Sequence, residues 1–502
     1  MYGSLSYLET MLSTRRQLLA ALAGTICLPL DLSGAHDAKA GAHKRGLDQY
    51  LPFQLLRPDE MASVTRKVFA HWHFFPISID NKRSDADYYA LNYLKPEGEN
   101  GKYFDTGGYI RERPLARVPR TEADWLVRDM IDDMSAAVAI GVDAFQVNLR
   151  SVSDQSIFWK YFTAMLSGIR RMSPPFKIFP CLDCTSTLFD GPVELLADSL
   201  AAVVSDPGLM RTPDGRLYLS AFAAERVSTK TWETLVAALS DRGWRPYFFP
   251  MFLEPSKVDH SILSLTDIVS IWGGDDLTRN ELPKKAVVSE NFGGAWCQPV
   301  WPQDFRPKVG WCTEASNSLL FRSGWEQAIA IDSHAVNILT WNDYSEGSEI
   351  RPSSSIQYSY YDLAAYYVAK FKLQSEPEIV RDVLYFFYRV EAPSGEHLGA
   401  LQNRSIVFRP GSQPTNDIEL LAFLKAPGRL TVKTETRVVH RDVGAGVSSV
   451  RVPLDFGHPR FELHRNGAMI VSVDGNFEIR KYSTYQDLLY HGGSSSRIEQ
   501  RY

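Results

Sequence analysis

Cysteine is scarce in this chain, five residues in 502, and Cys27 sits inside the N-terminal apolar run. The other four, Cys181, Cys184, Cys297 and Cys312, allow three pairings, and spacing does not choose among them. Cys181-Leu182-Asp183-Cys184 has CxxC spacing, yet no second CxxC completes a zinc site and the flanks do not fit a thioredoxin unit. Small buried thiols or one incidental disulfide are expected. A basic surplus is also missing: 54 Lys plus Arg face 59 Asp plus Glu, a net charge of −5. A dedicated nucleic-acid binder, which must neutralise phosphates, is excluded on that ground. Beyond the N-terminus no run of about 18 apolar residues occurs, so no membrane span is expected. G-x-S-x-G, H-E-x-x-H, P-loop and internal repeats are absent too.

What is present is ordinary globular composition, 44% hydrophobic and 23% charged. Disorder, collagen and coiled coil fail as descriptions of the whole. Aromatics reach 12%, with 11 Trp and 23 Tyr. Such a load suits either a large aromatic core or clefts that stack on sugars.

The first forty residues read as an address. Thr14-Arg15-Arg16-Gln17-Leu18-Leu19 is a twin-arginine pattern, and the apolar run Leu18 to Leu30 follows it. Thirteen residues at about 1.5 Å each cannot cross a bilayer core of about 30 Å. Ala38-Lys39-Ala40 supplies a small-x-small cleavage site. Together these mark export to the periplasm or the exterior of a bacterium, with a mature start near Gly41.

Residues 41–65 read as a linker. From 66 to 372, short apolar runs alternate with amphipathic stretches. Strands are expected at Val68–Phe74, Val142–Leu149, Phe176–Leu182, Leu217–Phe222, Pro246–Phe252, Ile268–Trp272, Val309–Cys312 and Ala335–Trp341. Helices are expected at Thr121–Ala139 (with Thr121 as its cap), Ile157–Arg170, Val193–Val204, Lys230–Leu239, Ser323–Ile331 and Tyr358–Phe371. Repeated βα alternation implies a parallel sheet, and eight units imply a closed (β/α)8 barrel of the TIM type. A doubly wound sheet is disfavoured because Phe74-Phe75-Pro76 is no glycine-rich phosphate turn. A polar insertion at about 76–120 separates the first strand from its helix, and a loop that long belongs to the catalytic face. After Lys372, short strands and the turns Pro427-Gly428 and Asn466-Gly467 announce an all-β, sandwich-like domain over 373–490. A flexible tail, 491–502, is expected after it.

The densest chemistry is Thr340-Trp341-Asn342-Asp343-Tyr344-Ser345-Glu346-Gly347-Ser348-Glu349, fed by the apolar run Ala335 to Leu339. In a barrel this is the carboxyl end of strand eight, where active sites lie. Paired carboxylates beside Trp and Tyr suit glycoside cleavage, in which one acid protonates the leaving oxygen and a second carboxylate acts as base or nucleophile. An acidic surface loop capping the last helix is the plainer alternative. Other strand ends offer His71, Trp72 and His73, then Asn148, Asp183, Trp272 and Asp275, with Trp311 in the seventh unit. His71 and His73 share a strand face as metal ligands do, but no matching acid or histidine cluster accompanies them. No metal or cofactor is expected.

Val68-Phe69-Ala70-His71, Gly141-Val142-Asp143-Ala144-Phe145, the Phe-Pro-Cys-Leu-Asp183 strand end, Met210 to Tyr218 and above all Thr340-Trp-Asn-Asp-Tyr344 with Glu346 resemble glycoside hydrolase family 71, the α-1,3-glucanases or mutanases. The resemblance implies an inverting hydrolase of α-1,3-glucan, on a (β/α)8 barrel with a β-sandwich after it. It places the two catalytic acids at Asp343 and Glu346. Spacing alone does not say which is the acid; the assignment adopted as an expectation is Glu346 as general acid and Asp343 as general base. His71, Trp72, His73, Asn148, Asp183, Trp272, Asp275, Trp311, Trp341, Asn342, Tyr344 and Glu349 fall to substrate binding or support. The partner implied is a polysaccharide or oligosaccharide. The loop departs from the family pattern, Gly-Glu-Ser-His-Tyr, at Ser345, Gly347, Ser348 and Glu349.

The export reading has a direct consequence. The mature protein is expected to begin near Gly41, checked by N-terminal mass spectrometry, and replacing Arg15 and Arg16 with lysine is expected to abolish its appearance outside the cytoplasm.

Overall fold

A computed structural model describes residues 47–173, 175–273, 294–393 and 401–497. The twin-arginine segment, its cleavage site and Asp275 lie outside the described residues. Eight parallel strands close into a barrel. They are Lys67–Trp72, Ala144–Leu149, Lys177–Asp183, Leu217–Phe222, Pro246–Phe252, Ile268–Ile271, Ala295–Val300 and Ala335–Ile338, here strands one to eight. Strand one pairs with both two and eight, which closes the ring. Helices Trp125–Ala139, Ile157–Ile169, Val193–Ala201, Thr229–Asp241, Leu319–Ala330 and Ser359–Leu373 follow strands one, two, three, four, seven and eight. After strand five the connection holds two 3-10 segments, Pro255–Lys257 and His260–Leu265.

The local chemistry accounts for these elements. Ser156 and Ser228 cap their helices by accepting from Phe158 N–H and Thr231 N–H. Period-two alternation divides each barrel strand between two environments. Phe69, Ala144, Phe179, Cys181, Phe249, Met251, Cys297 and Ala335 fill the barrel interior. Val68, Ala70, Trp72, Phe145, Val147, Ile178 and Leu182 pack outward beneath the helices. Strands one to three are buried on both faces, so they read as apolar runs.

Three expectations are corrected. The seventh barrel strand is Ala295–Val300, not Val309–Cys312. Gln298 and Pro299 break its apolar run, which leaves only Ala295-Trp296-Cys297 as a signal. Trp311–Thr313 belongs instead to a small sheet with Asp304–Arg306 and Val407–Phe408. The first helix starts at Trp125 with Asp124 before it, so Thr121 is not its cap. Gly492 does not open a loose tail: Tyr490–Ser494 is a buried strand paired antiparallel with Val383–Arg389. All four described cysteines are free thiols.

The C-terminal region holds two four-stranded antiparallel sheets. One contains Gly446–Pro453, Asp417–Leu424, Val383–Arg389 and Tyr490–Ser494; the other contains Val438–Val443, Gly428–Lys433, Arg460–Arg465 and Ala468–Asp474. Asn466 and Gly467 make the last hairpin with φ of 49° and 78°, the left-handed pair that such a turn requires. Alternation in Val383–Arg389 again serves two masters. Val383, Tyr385 and Phe387 pack on the barrel side, while Leu384, Phe386 and Tyr388 pack between the two sheets. Glu419 ties the first sheet to the barrel by accepting from Ser318 N–H and Oγ (2.9 and 2.7 Å) at the start of the helix after strand seven.

Phe386 lies fully buried, its ring stacked 5.1 Å from Phe461 of the second sheet. Phe386→Ala is expected to cost about 3–5 kcal/mol, read by urea unfolding followed by tryptophan fluorescence.

Candidate active site

The barrel mouth is built on a polar layer that sequence inspection did not single out. His71 of strand one points inward, its Nδ1 3.0 Å from Gln146 Oε1 of strand two. Gln146 Nε2 donates to Ser220 Oγ of strand four at 2.6 Å, and Asn337 Nδ2 of strand eight donates to Gln146 Oε1 at 2.8 Å. Because that amide oxygen only accepts, His71 donates from Nδ1 and keeps Nε2 as an acceptor. Burial lowers the pKa of His71, so the ring is neutral near pH 7. Trp272 stands edge-on to it at 5.0 Å.

Above this layer the chain after strand eight, entered through a cis Leu339–Thr340 peptide, folds back on itself. Thr340 N–H donates to Ser348 O at 2.7 Å, Ile350 N–H to Thr340 O at 3.1 Å, and Asp343 N–H to Thr340 Oγ1 at 2.7 Å. Asn342 fastens this loop to the first strand's exit. Its Oδ1 accepts from His73 N–H at 2.6 Å, and its Nδ2 donates to Phe75 O at 2.8 Å. Gly347 adopts φ of 56°, and a Cβ there would lie 2.5 Å from Leu489. The departure from serine at this position therefore follows from local backbone and packing.

Asp343 is 3% exposed. Its Oδ1 accepts from Ser345 N–H and Oγ at 3.0 and 2.7 Å, and its Oδ2 lies 3.4 Å from His73 Nδ1. Burial pushes its pKa up, but His73, Lys308, the Ser345 hydroxyl and Arg306 outweigh that and hold it below the usual aspartate range. His73 is driven down to about 4, chiefly by burial. Glu346 is more open and pairs through Oε1 with Arg306 at 2.8 Å. Lys308 donates to Ser345 Oγ at 2.7 Å. Both cations come from the segment after strand seven, which the misplaced strand had hidden from sequence inspection. Two further carboxylate and amide groups complete the mouth. Asp183 accepts from Thr185 N–H and Oγ1 at 2.9 and 2.6 Å and faces Arg150 at 3.4 Å. Asn148 Oδ1 is buried without a hydrogen-bond donor.

The structure therefore gathers His71, His73, Asn148, Asp183, Trp272, Asp343 and Glu346 at the mouth, joined by Arg150, Arg306 and Lys308. It places other candidates elsewhere. Trp72 and Trp341, 1% and 0% exposed, point outward. Both indole N–H groups donate to Asp133 of the first barrel helix, at 3.3 and 3.1 Å, and Arg351 pairs with the same carboxyl at 2.8 Å. Trp311 is held between the guanidinium groups of Arg306 and Arg409, 4.5 and 3.6 Å from its centroid. Tyr344 is buried in an aromatic cluster with Phe75, Tyr89, Tyr93 and Tyr109, the small core of the insertion. Glu349 is buried beneath the loop. Among the described residues no His, Cys, Asp and Glu cluster has the makings of a metal site.

The sequence profile of Glycosyl hydrolase family 71 matches residues 119–490. The chain belongs to glycosyl hydrolase family 71. It is 23% identical over 409 residues to the glucan endo-1,3-alpha-glucosidase agn1 of Schizosaccharomyces pombe, covering 74% of this chain and 92% of that protein. It is 22% identical over 409 residues to a mutanase of Penicillium rubens, covering 74% and 86%. Among solved structures, an endo-alpha-mannosidase of family GH99 from Bacteroides thetaiotaomicron aligns with a TM-score of 0.45 at 12% identity, over 61% of this chain and 98% of that one. The family match begins at residue 119, so strand one and the insertion lie ahead of it. As a family 71 protein the chain is a glycoside hydrolase.

Lys308→Met removes a cation that lowers the pKa of Asp343. The acid limb of kcat/KM is expected to move to higher pH, measured as a pH profile of hydrolysis.

Proposed function

We propose that this protein hydrolyses an α-glucan, specifically α-1,3-glucan, with inversion at the anomeric carbon. The observation that carries the reading is the Asp343–Glu346 loop at the barrel mouth, in a chain of this family whose curated relatives carry endo-1,3-alpha-glucosidase and mutanase names. Asp343 is the carboxylate that its surroundings keep ionised, which fits the base that takes a proton from water. Its Oδ1 is committed to Ser345, so Oδ2 is the atom that receives the proton. Glu346, the more accessible of the two, then protonates the leaving oxygen, and Arg306 fixes its orientation. Inversion leaves room for a water between base and sugar. Neutral His71, with Nε2 as acceptor, and Asp183 offer hydrogen bonds to sugar hydroxyls, and Trp272 offers an apolar face. The N-terminal address supports action outside the cytoplasm.

A second reading, another microbial polysaccharide on the same scaffold, draws on the insertion that walls the mouth. A third, a non-catalytic glycan-binding protein, keeps the acids only as structure. One experiment separates the three: reducing-sugar release from α-1,3-glucan, starch, dextran and β-1,3-glucan, with NMR of the newborn anomer. Expected are release from the α-1,3 polymer, a β-anomer product, and a loss of at least about 10³-fold in kcat for Asp343→Asn and Glu346→Gln. Release from another polymer supports the second reading. Glycan binding without release by wild type supports the third.

A further inference from the structure

Glu112 of the insertion and Glu349 of the loop after strand eight are 0% and 1% exposed. They meet at a seam. Leu115 N–H donates to Pro352 O at 3.2 Å, Ser354 N–H donates to Arg113 O at 2.9 Å, and Pro114 bridges Ser353. Glu112 Oε2 accepts from Ser353 Oγ at 2.6 Å and from Ser355 Oγ. Glu112 Oε1 and both oxygens of Glu349 are buried, and the donors beside Glu349 are its own amide and the Ser353 hydroxyl, which already donates to Glu112. The two carboxyls are within hydrogen-bonding reach of each other. Among the described residues neither makes an ion pair. The nearby cations are engaged elsewhere, Arg351 with Asp133 and Arg113 with Asp87. The other titratable groups facing the pair are Tyr344 from the loop and Tyr360 from the last barrel helix, both held neutral by burial.

Two buried carboxylates that make no ion pair among the described residues resist joint ionisation, and a proton between them satisfies oxygens that the few nearby donors leave over. We propose that Glu112 and Glu349 share one proton, that this proton clasps the insertion to the loop after strand eight, and that Glu112 is thereby a positioning residue for Asp343 and Glu346. The link to the reacting groups is short. Glu349 follows Ser348, which donates to Asp343 O at 3.2 Å and accepts from Thr340 at 2.7 Å. Glu112 lies ahead of the region that the family profile matches, and Glu349 lies within it. The positioning half of the proposal rests on the assignment of Asp343 and Glu346; the clasp does not.

Burial and the neighbouring carboxyl raise the pKa of Glu349 well above 4.5. The folded seam binds its proton more tightly than the unfolded chain does. Its stabilisation is therefore full below the unfolded value and is lost as pH rises through the folded one. Glutamine at either position supplies an N–H donor to the remaining carboxylate and needs no proton.

The test is hydrogen exchange by mass spectrometry on the full chain from pH 5 to 10, corrected for intrinsic rates. Wild type is compared with Glu112→Gln, Glu349→Gln and the double variant. In wild type, protection of the seam amides Leu115, Ile350 and Ser354 is expected to fall by up to about tenfold per pH unit above the unfolded glutamate value and to level off once the folded seam has lost its proton. The glutamine variants are expected to hold it, while strand four, Leu217–Phe222, stays protected in all. Wild-type seam protection that is flat over this range, or that falls equally in the variants, overturns the clasp. In parallel, kcat on α-1,3-glucan is expected to fall less steeply at alkaline pH in the variants. Equal kcat profiles with a differing seam overturn the positioning role. If wild type releases no sugar, the proposed function fails while the exchange data still decide the clasp.

Discussion

The chemistry at the barrel mouth depends on the return of the chain after strand eight. Thr340 is gripped from two sides, donating to Ser348 and accepting from Ile350, while its hydroxyl receives the Asp343 amide. These bonds turn a stretch with no regular secondary structure into a rigid bracket. Rigid placement matters because proton transfer demands positions held to fractions of an ångström. The bracket is anchored outward by Trp341 on Asp133 and sideways by Asn342 on the first strand's exit. Trp341 and Asn342 thus hold the backbone of this loop.

Charge is distributed around the bracket with economy. Asp343 would resist ionisation in so buried a place, yet Lys308, Arg306 and the Ser345 hydroxyl reverse that tendency. The cations arrive from a small sheet joined to the C-terminal region through Val407–Phe408. Leu489 packs against Gly347 from the same side. The all-β region therefore buttresses the loop after strand eight, with strand Tyr490–Ser494 paired on Val383–Arg389.

The insertion also supports this loop, and it contacts the C-terminal region through Arg111 on Gln486 O. Its tyrosines make a small core with Tyr344, and its Glu112 meets the return of the loop. A loop of this length could not stay ordered on polar contacts alone; the aromatic cluster offsets the entropy of fixing it.

Much of this was legible in sequence. The βα alternation, the position of Asp343 and Glu346 after an apolar strand, and the hairpin at Asn466-Gly467 all follow from local periodicity and turn chemistry. Strand seven did not, since Gln298 and Pro299 break its apolar run, and with it Arg306 and Lys308 were missed. Gln146, Ser220 and Asn337 carry no local signal, because their meaning lies in contacts between strands 74 to 191 residues apart. Trp72 and Trp341 looked like sugar platforms because composition does not tell inside from outside. The sequence by itself determined the barrel, its order of elements and the segment where acids cluster, since those rest on spacing along one chain. Only the tertiary structure decided which side chains face the mouth, which cations reach Asp343, and that Glu349 meets Glu112, because register and burial are properties of the closed ring.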